Sequence, residues 1–217
     1  MADENKRKTP DEENEVVKML RGIGSDLWGG FAAGGEETAK PDVKPAAEPE
    51  KHAQKPGLPA IERIWEIADE TIDWTDALVY DSAPDGLTGS RQWAFYKKYA
   101  SAVLAGDLKA YAAVLTAANP LGDLTVFTGD MKIRTPGADR LEAVFEVNEA
   151  YMKKNAKRYM AGLSLRIARD LFAVLPVSEV GVEACENGEV LFSAEYTRDR
   201  LRKRSFACTD PMDFAEE

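Results

Sequence analysis

The chain has 217 residues, 44% of them hydrophobic, which is enough to bury the core of one domain, and its formal net charge is -10. That excess of acid repels nucleic acid and anionic membrane surfaces, so contact with either needs a local basic patch. No apolar run reaches the roughly 18 to 20 residues that cross a bilayer, because the most hydrophobic stretch, 163–182, carries Arg166, Arg169, Asp170 and Glu179.

Two cysteines, Cys185 and Cys208, do not form a close pair. Without a secretory apolar segment at the N-terminus they predict no disulfide framework, and the expected compartment is the cytoplasm.

Residues 1–57 read as an arm. From 36 to 57 the sequence is dominated by Ala, Glu, Lys and Pro, with Pro41, Pro45, Pro49 and Pro56, and it has little to bury; it is expected to be a disordered tether. Before it, Val16, Leu20, Ile23, Leu27 and Phe31 recur at three- and four-residue spacing beside Trp28, so a short amphipathic helix can form near 15–31. These six residues are the candidate partner-docking segment. Only Lys18 and Arg21 accompany the stripe, too few for an interfacial membrane helix.

Residues 58–217 read as a single α+β domain. After Pro59, the spacing of Ile61, Ile64, Trp65, Ala68, Ile72 and Leu78 predicts a helix to about residue 79. Pro84, Gly86 and Gly89 break it, and a second helix over about 90–104 turns Trp93, Tyr96, Ala100, Val103 and Leu104 inward. Gly106-Asp107 opens a third helix that Asn119-Pro120 ends.

The period then changes. Leu141, Ala143, Phe145 and Val147 alternate with Glu142, Val144 and Glu146 as a half-buried strand, paired across a turn at 135–139 with one containing Met131 and Ile133. A long helix follows over about 149–175, with Met152, Ala156, Tyr159, Met160, Leu163, Ile167, Leu171 and Val174 on one arc before Pro176. A second hairpin turns at Asn187-Gly188. A three-residue loop, 186–188, pairs Ala184 with Val190, Val182 with Phe192 and Val180 with Ala194, which keeps apolar side chains together, whereas a plain two-residue turn sets Val182 against Ser193. A short terminal helix near 197–203 completes the expected architecture of N-terminal helices, hairpin, long helix, hairpin and terminal helix, with an antiparallel sheet packed on the helices.

Residues 118–124 (Ala-Asn-Pro-Leu-Gly-Asp-Leu), the 141–147 strand, the 166–177 segment (Arg-Ile-Ala-Arg-Asp-Leu-Phe-Ala-Val-Leu-Pro-Val) and the closing 206–214 with Asp210 and Pro211 resemble a family of uncharacterised bacterial proteins. The resemblance covers about 91–214. Members carry a longer insertion between the second strand and the long helix and a fuller loop where this chain has Asn187-Gly188. The resemblance implies a domain boundary and no activity.

Chemistry is thinly represented. His52, in the tether, is the only histidine, so a His-based triad, general base or zinc ligand set is not expected, and no phosphate-binding glycine loop or nucleophile-elbow motif is present. Neither a cofactor nor a metal site is expected. Asp123, Asp130, Asp139, Glu142 and Glu146 crowd the first hairpin, but Glu142 and Glu146 stand about 13 Å apart along a strand, too far to share a proton. A nuclease of the Asp…Glu-x-Lys type would want lysine where Asn148 stands.

Lys153, Lys154, Lys157 and Arg158 on the long helix, with Arg198, Arg200, Arg202, Lys203 and Arg204, form a candidate anion surface; Arg166 and Arg169 add to the local positive charge. The leading expectation is a non-catalytic module that binds another protein. The alternative is a nucleic-acid or anion binder that uses the basic residues, and a carboxylate-dependent enzyme ranks third.

Overall fold

The computed structural model describes residues 61–84 and 88–215. A 3-10 turn, Ile61–Glu66, precedes helices α1 (Trp74–Val79), α2 (Ser90–Leu104) and α3 (Leu108–Ala118). Strands β1 (Thr128–Gly137) and β2 (Arg140–Val147) lead into the long helix α4 (Glu149–Val174). Strands β3 (Glu179–Glu186) and β4 (Glu189–Thr197) follow, then short helices α5 (Arg198–Arg202) and α6 (Met212–Ala215). The α+β class and the hairpin, helix, hairpin order are as the periodicity predicts.

The sheet is mixed rather than antiparallel. Its order is β1-β2-β3-β4; each hairpin is antiparallel, but β2 and β3 run parallel, with Leu141 opposite Val180, Ala143 opposite Val182 and Phe145 opposite Ala184. The cause is α4. It leaves the far end of β2 and carries the chain back to the near end, where the Ser178 and Glu179 N–H groups donate to Asp139 O at 2.9 and 3.0 Å. A strand that restarts beside its predecessor's start must run parallel to it.

The predicted helix over 61–79 is three pieces. Arg63 leaves helical geometry at φ -136°, ψ 17°, and Asp73 accepts from the Thr75 and Asp76 N–H groups as the cap of α1. Between them, residues 67–73 have no regular structure. Bonds to α4 compete with helical ones: Asp69 N–H donates to Asp170, Ile72 N–H to Ala173 O, and Arg169 donates to Trp65 O and Ile67 O. Leu78 and Leu104, expected inward, lie exposed in the last turns of α1 and α2.

The second hairpin has the expected face but another register. Asn187 and Gly188 both take positive φ, 51° and 84°, as a two-residue hairpin turn requires, so Glu186 faces Glu189 and Cys185 faces Val190. A bulge between Ala184 and Cys185 then shifts the ladder, setting Ala184 opposite Phe192, Val182 opposite Ala194 and Val180 opposite Tyr196. Apolar pairing survives because the bulge, rather than a longer loop, supplies the extra residue.

Helix α4 breaks at Asn155 (φ -152°, ψ 82°), whose side chain accepts from Arg158 N–H and restarts the helix. Beyond it the helix is enclosed almost all round, with Ser164, Arg166 and Asp170 buried beside the predicted apolar arc. One side packs on the sheet. On another, Gly162 admits Trp65 so closely that a Cβ there would lie 2.6 Å from the indole ring.

Gly162→Ala therefore lowers stability. Overpacking costs about 1–3 kcal/mol, against about 1 kcal/mol gained from helix propensity. A lower midpoint in chemical denaturation, with altered Trp65 fluorescence, is the expected readout.

Candidate functional site

Two arrangements of charge stand out, one buried and one on the open face of the sheet. The buried one centres on α4. Arg166 and Asp170, four residues apart, share a face of the helix, and Arg166 Nε donates to Asp170 Oδ2 at 2.5 Å. The other Asp170 oxygen accepts from Asp69 N–H at 2.8 Å. Arg166 Nη2 reaches Asp123 Oδ2 at 3.3 Å, while Arg166 Nη1 and Asp123 Oδ1 are buried without a partner.

Asp170 is wholly buried, and burial pushes its carboxyl up to about 7 although Arg166 pulls the other way. Burial likewise brings Arg169 down to about 10, its guanidinium lying over the Phe206 ring at 3.7 Å. In the sequence Arg166 counted only toward the local positive charge and Asp170 had no role, so their burial was missed; their four-residue spacing beside the apolar arc was the available signal.

The candidate basic residues divide into two kinds. Arg158 holds both oxygens of Asp210 at 2.8 and 2.7 Å and lies over Trp65. Arg198 closes the end of α4, donating to Val177 O at 2.7 Å, Phe172 O at 2.8 Å and Leu175 O. Arg200 and Arg204 flank the Phe214 ring at 4.6 and 5.8 Å, and Arg200 also donates to Asp213 O. Lys153, Lys154, Lys157, Arg202 and Lys203 are exposed. Arg198 meets α4 at its C-terminal end and Lys157 sits near its start, about 25 Å apart at the helical rise. One small anion cannot bridge both.

The second arrangement covers the sheet face opposite α4. Along β2 the burial alternates, with Leu141, Ala143 and Phe145 in the core and Arg140, Glu142, Val144 and Glu146 outward. Arg140 is the hub: it pairs with Glu195 at 2.7 Å and with Glu142 and Glu179 at 3.4 Å each. These bonds, that to Glu195 first, raise its pKa further above the ordinary arginine value.

Gly181 makes that span possible, since a Cβ there would lie 3.1 Å from both Arg140 Nη2 and Glu195 Oε1. A hollow of about 110 Å³ opens over it, lined by Arg134, Arg140, Glu142, Val144, Glu183, Ser193 and Glu195 among others. Toward the hairpin tip lie Cys185, its thiol raised by burial and then by Glu146 and Glu183, and exposed Val190.

Glu142 and Glu146 thus belong to a charged platform. Asp123 joins the buried network, and Asp139 serves through its backbone carbonyl. Cys185 and Cys208 are both free thiols. Among the described residues no group of His, Cys, Asp and Glu is placed to hold a metal ion, and no helix is long and apolar enough to cross a membrane. The docking candidates Val16, Leu20, Ile23, Leu27, Trp28 and Phe31 lie outside the described residues.

Two stability predictions follow from these contacts. Arg166→Met removes the arginine that holds down the buried Asp170 carboxyl, which then stays protonated at neutral pH, and is expected to cost about 1–3 kcal/mol for the bonds lost to Asp170 and Asp123, only part of it recovered when Asp170→Leu is added, as equilibrium unfolding of the single and double variants would show. Arg198→Ala leaves carbonyls at the end of α4 unsatisfied and is expected to cost about 1–3 kcal/mol; Arg198→Lys recovers little, because an ammonium lacks the forked donors.

No family model, curated protein or solved structure matches this chain.

Proposed function

We propose that this domain is a non-catalytic protein-interaction module, cytoplasmic, that presents the open face of its sheet to a partner. The observation that carries the reading is the charged platform held by Arg140. Glu142, Glu146, Glu179, Glu183 and Glu195 outnumber Lys132, Arg134 and Arg140 on that face, with Val144 and Val190 as its apolar contacts. Ion pairing through Arg140 fixes Glu142, Glu179 and Glu195 before binding, so less conformational entropy is lost on association. A partner with a basic, partly apolar surface suits such a face. The arm, with its 15–31 stripe behind a tether, would supply a second linked contact that raises avidity. Membership of the bacterial family resembled by residues 91–214 is part of this proposal and adds no activity to it.

A photo-crosslinking residue at Ser193, which is exposed on this face, tests the reading against one at Thr116, exposed on α3. The expected result is a defined partner captured from position 193 only, and lost in Glu183→Lys, a change that leaves the Arg140 ion pairs in place. Capture that is equal from both positions, or indifferent to Glu183→Lys, sinks it.

The anion-binding alternative rests on the exposed cations Lys153, Lys154, Lys157, Arg202 and Lys203. It predicts a salt-dependent electrophoretic shift of nucleic acid that weakens in the triple variant Lys153→Ala, Lys154→Ala, Lys157→Ala. No shift at low salt removes it.

A further inference from the structure

The strap, residues 67–73, hangs on α4 by a small set of bonds. Asp69 N–H donates to Asp170 Oδ1 at 2.8 Å, Ile72 N–H to Ala173 O at 2.9 Å, and Arg169 to Ile67 O at 3.2 Å. Asp170 is therefore at once the interior partner of Arg166 and an anchor of the strap. It is wholly buried under a segment with no regular structure. A lifted strap would let water reach the carboxyl, and the closed one keeps it dry.

We propose that residues 67–73 form a proton-linked latch, in which the closed strap takes up a proton at the Asp170 carboxyl and a rise in pH favours the open strap.

The charged groups around Asp170 come from each neighbouring element. From α4, Arg166 and Arg169 favour the carboxylate. From the strap, Asp69 favours the acid, and Asp123, in the 3-10 turn Gly122–Val126, stands behind Arg166 and neutralises part of its charge. Burial is the largest influence and holds the closed-state carboxyl at about 7. A solvated aspartate titrates near 3.9, so the closed strap binds the proton more tightly than the open one.

The sign follows from linkage. Proton uptake assists closure fully below the open-state value, and that assistance is lost as the pH rises to about 7. Between those limits the closing equilibrium falls by about tenfold per pH unit, then levels off. The protonated carboxyl keeps Oδ1 as acceptor for Asp69 N–H while Oδ2 takes the proton at the expense of its bond from Arg166, so the strap's anchor survives uptake.

Hydrogen exchange on the full-length protein tests this, with rates normalised for intrinsic exchange. The Asp69 and Ile72 amides should lose about tenfold protection per pH unit between about pH 5 and 7 and little above it, while the Ala143 amide in the β2–β3 ladder does not follow. Asp170→Asn should flatten the strap profile. A flat wild-type profile, an equal slope at Ala143, or an undiminished slope in Asp170→Asn overturns the latch. A carboxyl carbon titration of wild-type Asp170 gives an independent check: a midpoint near 7 supports the proposal, and one near 4 overturns it.

Discussion

Helix α4 is enclosed almost all round from Tyr159 to Leu175, and much of the structure answers to that constraint. An enclosed helix must find partners within the protein for its polar groups, since desolvation without one costs several kcal/mol for a charge and about 1–3 kcal/mol for a neutral group, and here only Arg166 Nη1 goes without among the described buried side-chain atoms of α4. Ser164 meets the Tyr196 hydroxyl at 2.9 Å, and Arg166 meets Asp170 and Asp123. The last carbonyls of the helix are met by Arg198 and by Trp74 Nε1, which donates to Val174 O at 2.9 Å. Apart from Asp170, these partners come from α1, the turn after α3, strand β4 and helix α5. Elements far apart in sequence are thus fixed by the polar needs of one helix.

The same constraint explains what sequence periodicity could and could not convey. Strand β2 and helix α2 were legible because each has a solvent side, so apolar residues repeat at the period of the backbone, and the length of α4 was legible from its apolar arc and the Pro176 that follows it. The span 61–79 misled. Its apolar spacing suits a helix, but Asp170 and Ala173 offer its backbone better partners, and a tertiary bond replaced the local one. The parallel pairing of β2 with β3 was illegible for a related reason: it depends on where α4 delivers the chain, a property of packing rather than pattern. At the second hairpin the alternation fixed which side chains share a face, and it left open whether a longer loop or a bulge would preserve that alternation.

Charge was the least legible feature of the candidate site. A count of basic residues over 150–206 treats arginine and lysine alike, yet the fold separates them. Arg158, Arg198, Arg200 and Arg204 lie over rings or donate to carbonyls and carboxylates, whereas Lys153, Lys154, Lys157 and Lys203 face solvent, joined by Arg202 as the exception among these arginines. The division is physical. A guanidinium is planar, weakly hydrated and carries forked donors, so it can cap a helix end or stack on an aromatic ring; an ammonium holds its water more strongly.

The form of the sheet bears on how a partner would meet it. A sheet can offer an edge for strand addition or a face for side-chain contact. Strand β1 is a poor edge, with register shifts at both ends and Pro136 within it. Strand β4 carries Glu189 and Glu195, and acidic side chains on an edge strand discourage a second acidic copy from pairing there. The face differs: its charges are tied across three strands through Arg140, over a floor that Gly181 leaves open. Under the proposed interaction role, recognition by side chains on that face would be favoured over β-augmentation, and its specificity would come from the charge pattern rather than from backbone hydrogen bonds.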